Sequence, residues 1–230
     1  IRRYRITRWR SIATMAIDLV NDPMLNSYDL SSLKAIGGGG AAMPAPIAKK
    51  LKDLTGLDYL EGYGLSETMA ATHLNPTNAP RAQCLGIAVF GVKSCIWSPQ
   101  DNKKLGTNEI GEILIAGPQV FLGYWRRPEE TKQAFVTLEG INYFRTGDIG
   151  YIDEEGFFYM VDRLKRMINA SGFKVWPAEV EAIMHGHPAI AEACVIASKD
   201  PRRGESVKAI IVKNLTEEVI TQKEIIKWCL

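Results

Sequence analysis

Four consecutive glycines, Gly37 to Gly40, constrain this chain more than any other feature. They follow a short apolar run at 33–36 and precede Ala41, Ala42, Met43 and Pro44. Proline suits the first turn of a helix, and Ile47, Leu51 and Leu54 recur at the spacing of one buried helical face. The pattern predicts strand, glycine loop, helix, the layout of a nucleotide site in an α/β protein. The loop matches neither the dinucleotide-binding nor the Walker glycine pattern, so those two arguments do not apply. Bare backbone at these positions would let a flat ring approach closely, whereas a tight turn needing several glycines is the plainer alternative.

The 230 residues suffice for one large domain or two small ones, with 46% apolar and 23% charged residues. A net charge of +2 gives no general case for nucleic acid or an acidic partner. Arg2, Arg3, Arg5, Arg8 and Arg10 crowd the N-terminus, as a phosphate or membrane-surface patch or, preferably, a solvated helix face. Four scattered cysteines form no C-x-x-C pair and the three histidines no metal grouping, which favours a reducing, cytoplasmic setting. No apolar run reaches the roughly 20 residues needed to span a bilayer. The missing initial Met and a helical pattern running to the last residue suggest a chain cut at both ends.

Beyond a second apolar run at 57–60, Gly62 and Gly64 flank Tyr63, and Ser66 and Glu67 follow. Tyr63 could stack on a base, Ser66 donate to a phosphate and Glu67 hold Mg²⁺. Singly, a core tyrosine, a helix cap and a solvated acid account for them equally well. From about residue 81 the texture changes. Short strand-like runs at 87–89, 93–97, 110–116 and 120–124, separated by turn residues, predict a small barrel or sandwich. At 144–148 a strand end is expected to meet a glycine turn that presents Asp148 outward, where its two oxygens could grip a diol. Arg163, beyond a hairpin expected at 151–161, could reach an anionic group on the same ligand. Solvated charges on a hairpin are the bland alternative. A second glycine loop at 170–174 follows. The remainder predicts a helix at 177–184, strands at 193–197 and 207–212, and a helix opened by a Thr221/Glu224 capping box.

Taken together, GGGGAAMP (37–44), GYGLSETMA (62–70), GEILIAGPQVFLGYW (111–125), YFRTGDIGYIDEEGF (143–157) and DRLKRMINASGFKVWPAEVE (162–181) resemble the adenylate-forming superfamily along essentially the whole chain. The wording is most similar to fatty-acyl-CoA ligases. The resemblance implies an α/β fold with a β-barrel: part of a large α/β domain (1–81), a barrel-like subdomain (82–164) and an incomplete mobile C-terminal domain (165–230). It implies that a carboxylic acid attacks Mg-ATP to give an acyl adenylate, from which coenzyme A displaces AMP. Gly38, Gly39, Gly40 and Ala41 would lie along adenine with Tyr63 stacked near it. Ser66, where threonine is usual, would touch the α-phosphate, and Glu67 would bind Mg²⁺. Asp148 would hold the ribose with Arg163 beside it, Lys165 would be the hinge, and Gly172 would keep the pantetheine path open. Lys174, a catalytic candidate for contacting phosphate, falls where relatives often carry arginine, and Ala13 where many have proline. The family's triphosphate loop lies upstream of this sequence and its catalytic lysine beyond Leu230, so these residues alone are expected not to adenylate. The alternatives are a ligase for an aryl, short-chain or carrier-bound acid, and a non-catalytic nucleotide-binding remnant. Membrane contact is compatible with a fatty substrate but has no further support.

Overall fold

The computed structural model describes residues 1–40, 43–201, 204–214 and 221–229. The chain separates into two compact units, one of Ile1–Thr146 with Gly150–Met160, the other of Gly147–Ile149 with Val161–Leu230.

The first sheet is built from β1 (Arg8–Ser11), β2 (Ala35–Gly38), β3 (Tyr59–Tyr63), β4 (His73–Leu74) and β5 (Ile87–Ala88), in that order. Helices α1 (Ala13–Asn21) and α2 (Ala45–Thr55) make the crossovers that let β1, β2 and β3 run parallel. Between them lies a core of Ala16, Val20, Ile36, Met43, Leu51 and Tyr59. Gly56, at φ +72°, ends α2 with its N–H on the Lys52 carbonyl, a left-handed cap that favours glycine. The N-terminal arginines do not form the expected helix face. Arg2–Tyr4 is a 3-10 turn, and Arg8 and Arg10 belong to β1. There Arg8 and Arg10 are exposed, Trp9 packs on the core and Ser11 is buried, the alternation of a strand.

The second sheet contains β6 (Lys93–Ser98), β7 (Lys103–Lys104), β8 (Gly111–Ala116), β9 (Phe135–Leu138), β10 (Ile141–Ile152) and β11 (Phe158–Arg163), with α3 (Pro128–Gln133) before β9. Its order is β11-β10-β8-β6-β7, with β9 also on β10. All six residues of β8 are buried, as its unbroken apolar run Ile113–Leu114–Ile115 requires. The expected barrel is instead an open sheet. Its terminal strand β7 is only two lysines long, a short charged edge that resists further pairing. Residues 120–124, expected as a strand, form a loop, because the Phe121 N–H is bonded to the Glu67 carbonyl (2.7 Å) rather than to a strand. The hairpin expected at 151–161 is present, closed by Asp153 N–H to Phe157 carbonyl at 3.0 Å.

The second unit has an antiparallel sheet of order β13-β12-β15-β14, made by β12 (Ile168–Ala170), β13 (Phe173–Val175), β14 (Ile190–Asp200) and β15 (Gly204–Lys213). Helices α4 (Pro177–His185) and α5 (Gln222–Trp228) supply Met184 and Ile225 to its core. The capping box is formed as expected, with Thr221 N–H on Glu224 Oε2 at 2.7 Å. No helix among the described residues is long and apolar enough to cross a membrane.

Strand β2 is pressed between its neighbours where it is richest in glycine. A Cβ on Gly38 would overlap the Ser11 carbonyl and stand 2.5 Å from the Tyr59 hydroxyl. That hydroxyl is itself fixed on the Ser11 carbonyl at 3.0 Å, so neither neighbour can yield. Gly38→Ala is therefore expected to destabilise the protein by about 1–3 kcal/mol, the usual cost of overpacking. An unchanged urea midpoint would show that the strands separate freely.

Candidate active site

A cleft of about 310 Å³ opens where the parallel strands end, the position at which open α/β sheets take ligands. Its floor is backbone: Gly38, Gly39 and Gly40 from one strand end, Gly62 and Gly64 from the next. Gly39 lies against the Gly62 carbonyl, and Gly40 turns the chain away at φ +89°. Leu65, Met69, Ala71 and Leu74 give the cleft an apolar side, and Arg10 lines it from β1. Tyr63 borders the cleft, but its side chain is only 8% exposed and packs on His73 (5.6 Å between ring centres) and on Ile96 and Ile113. The expectation for Ala41 falls outside the described residues.

Ser66 and Glu67 sit on a 3-10 turn, Ser66–Thr68, just past the cleft. Ser66 is exposed. Glu67 is half-buried and accepts a hydrogen bond from the Tyr124 hydroxyl at 2.9 Å. The residue that shapes this turn is Thr68, which sequence reasoning passed over. It is fully buried, and its hydroxyl accepts from the Leu65 N–H (2.9 Å) within reach of the Leu65 and Ala70 carbonyls. Among the described residues no three His, Cys, Asp or Glu side chains cluster as a metal cage. Mg²⁺ needs no such cage when substrate phosphates and water complete its shell, so one carboxylate at Glu67 fits a metal delivered with a nucleotide.

In the second unit Asp148 departs from expectation. It is not on an exposed turn: β10 continues through Gly147, whose φ of +70° breaks the regular pleat, and Asp148 is 2% exposed. The cause is its partner, since Arg163 Nε lies 3.2 Å from Asp148 Oδ1. A carboxylate held by a guanidinium can be buried where a lone one could not. The Arg163 side chain remains 62% exposed. Lys165 is exposed on the 3-10 turn Leu164–Arg166. Gly172 and Ser171 form the two-residue turn between β12 and β13, with φ of +87° and +57°, the left-handed pair that tight hairpins use. A Cβ on Gly172 would meet nothing within 4 Å, so backbone conformation, not crowding, explains glycine there. Lys174 is exposed on β13, paired in register with Asn169.

Asp162 and Glu61 are buried carboxylates that the sequence reading passed over. Asp162, 3% exposed, accepts the Ala178 N–H at 2.8 Å in the first turn of α4 and lies 3.5 Å from Arg166. Its only sequence signal was an acid ahead of a basic knot. Glu61, 7% exposed on β3, accepts the backbone N–H groups of Met43 and Gln83, while the Gln83 carboxamide donates to the Met43 carbonyl. Burial pushes the Glu61 carboxyl up to about 7, and the two N–H donors offset this only in part. By the same desolvation His73 falls to about 4 and stays neutral.

A glycine-floored cleft at the ends of parallel strands, with an acid on the adjoining turn, has the layout at which open α/β sheets take ligands. Residues 1–125 match the model of the AMP-binding enzyme family and residues 179–229 that of the AMP-binding enzyme C-terminal domain, and the chain belongs to this family. It is 41% identical over 215 residues to a long-chain-fatty-acid–CoA ligase of Bacillus subtilis, covering 92% of this chain and 37% of that protein. It is 33% identical to the probable 4-coumarate–CoA ligase 2 of Dictyostelium discoideum, covering 99% and 41%. Among solved structures, ATP-bound MatB from Rhodopseudomonas palustris superposes with a TM-score of 0.90 at 31% identity, covering 98% and 44%. An anthranilate CoA ligase in complex with anthranoyl-AMP gives 0.83 at 27%, covering 99% and 43%. The chain spans about two-fifths of the length of the curated relatives it matches.

Glu61 makes stability depend on pH. Its folded value of about 7 stands above the ordinary 4.5, so protonation favours the folded state. That contribution is complete below about 4.5 and lost as pH rises through 7. The difference in unfolding free energy between wild type and Glu61→Gln should change by on the order of 1–3 kcal/mol across this window. A difference that stays constant from pH 4.5 to pH 8 would mean that Glu61 titrates normally.

Proposed function

We propose that the full-length protein is an AMP-forming acid–CoA ligase: it activates a carboxylic acid with Mg-ATP as the acyl adenylate and passes the acyl group to coenzyme A. The observation that carries this is the glycine-floored cleft, where absent side chains let a planar base lie on backbone at Gly38 to Gly40, beside Tyr63. In this reading Ser66 meets the α-phosphate and Glu67 the Mg²⁺ that the phosphates carry, with Tyr124 holding one Glu67 oxygen in place. Asp148 takes the ribose hydroxyls, its orientation set by Arg163. Charge gathers on phosphate and carbonyl oxygens in both half-reactions, so positioned cations and N–H donors supply most of the rate. Residues 165–230 act as the mobile part, turning at Lys165 and bringing Gly172 and Lys174 to the thioester step.

The 41% identity to a fatty-acid–CoA ligase favours an aliphatic acid. The relatives named for 4-coumarate and anthranilate support an aryl acid as the second reading. ATP–pyrophosphate exchange by the full-length protein, across aliphatic and aryl acids, separates the two. Exchange with no acid, from protein that binds ATP, would overturn the ligase reading.

Asp148→Ala should weaken ATP and AMP binding alike by about 1–3 kcal/mol, the loss of charge-assisted hydrogen bonds. Equal affinities by titration calorimetry would remove the ribose role.

A further inference from the structure

Among the described residues Arg10 is the one charged residue lining the cleft, and none of the nucleotide roles uses it. It lies on the exposed face of β1, opposite Ser11, which is tied to Tyr59. Among the described residues its side chain has no hydrogen-bond or ion-pair partner, and no carboxylate lines the cleft. Its neighbours there are glycine backbone and the apolar side chains of Leu65, Met69, Ala71 and Leu74.

A cationic side chain on the lining of an otherwise apolar cleft has consequences for whatever fills it. A plain hydrocarbon chain would strip water from the cation and return no hydrogen bond. A ligand with an anionic group would satisfy the planar donor fork. Nucleotide phosphate is the less suitable source, because Ser66 and Glu67, the candidate phosphate and metal positions, lie outside the cleft lining.

We propose that Arg10 is a specificity-determining residue, selecting an acid that carries a second anionic group, the simplest being an aliphatic dicarboxylate. One carboxylate is activated at the nucleotide, the hydrocarbon segment lies along Leu65, Met69 and Leu74, and the far carboxylate pairs with Arg10. This rests on the acid–CoA ligase reading.

The test is ATP–pyrophosphate exchange by the full-length protein with monocarboxylates and α,ω-dicarboxylates of matched chain length, alongside ATP affinity by calorimetry. Wild type should favour the dicarboxylates in kcat/KM, and Arg10→Leu should lose about 10- to 100-fold for them alone, mainly through KM. Arg10→Lys should retain the preference in part, and ATP affinity should not change in either variant. A wild-type preference for monocarboxylates overturns the proposal. So does an equal loss for both acid classes, which would place Arg10 on the reacting carboxylate, or a fall in ATP affinity, which would place it on phosphate. Exchange with no acid at all overturns the ligase reading instead, and this assignment with it.

Discussion

Close contact between backbones is the constraint on which the first unit depends. Gly37 lies against the Leu60 carbonyl, Gly38 against Ser11 and Gly39 against Gly62, so three successive residues have no room for a side chain. The same condition that lets β2 fit between β1 and β3 leaves the cleft floored by peptide groups alone. Strand packing by itself requires glycine at 37–39, and the bare backbone it leaves is the surface on which the proposed base would lie.

Among the described residues, each buried carboxylate has donors around it. Glu112, 1% exposed, meets Arg145 at 3.0 Å, and that guanidinium also lies over the Trp97 ring. Asp148 meets Arg163, and Asp162 meets Arg166 and two backbone N–H groups. A buried pair contributes little net stability, since desolvation offsets attraction, but breaking one leaves a bare charge. Such pairs hold side chains in set orientations more than they strengthen the fold. Glu61 differs, having backbone donors and, among the described residues, no cation bonded to it, and its carboxyl is correspondingly driven toward the neutral form.

Local patterns in the sequence carried most of the first unit's layout. The apolar run, the glycines and the proline announce β2 and α2, and the Asp153–Gly156 turn announces the β10–β11 hairpin. What stayed hidden depends on partners far along the chain. Burial of Asp148 follows from an arginine fifteen positions on, and no local pattern marks it. Residues 120–124 have the aromatic, β-branched composition of a strand, but Glu67 claims a backbone donor there. Barrel closure is a matter of strand register, which turn spacing does not encode. At Arg8–Ser11 the period-2 signal was present but only four residues long, and the abundance of arginine masked it. Arg10 went unnoticed as part of a cleft for the same reason.

Arg81 ties together pieces that regular structure does not. Its guanidinium reaches Asp153 at 2.6 Å and Glu155 at 2.5 Å and lies 3.7 Å from the centre of the Phe157 ring, while Asn75 holds its backbone N–H at 2.9 Å. Residues 75–83 contain no helix or strand, yet they are bound to the β10–β11 turn at one end and to Met43 through Gln83 at the other. Lack of secondary structure is then a poor guide to local stability. This loop should open to solvent together with the hairpin rather than on its own, so its amide protons exchange as part of one cooperative unit.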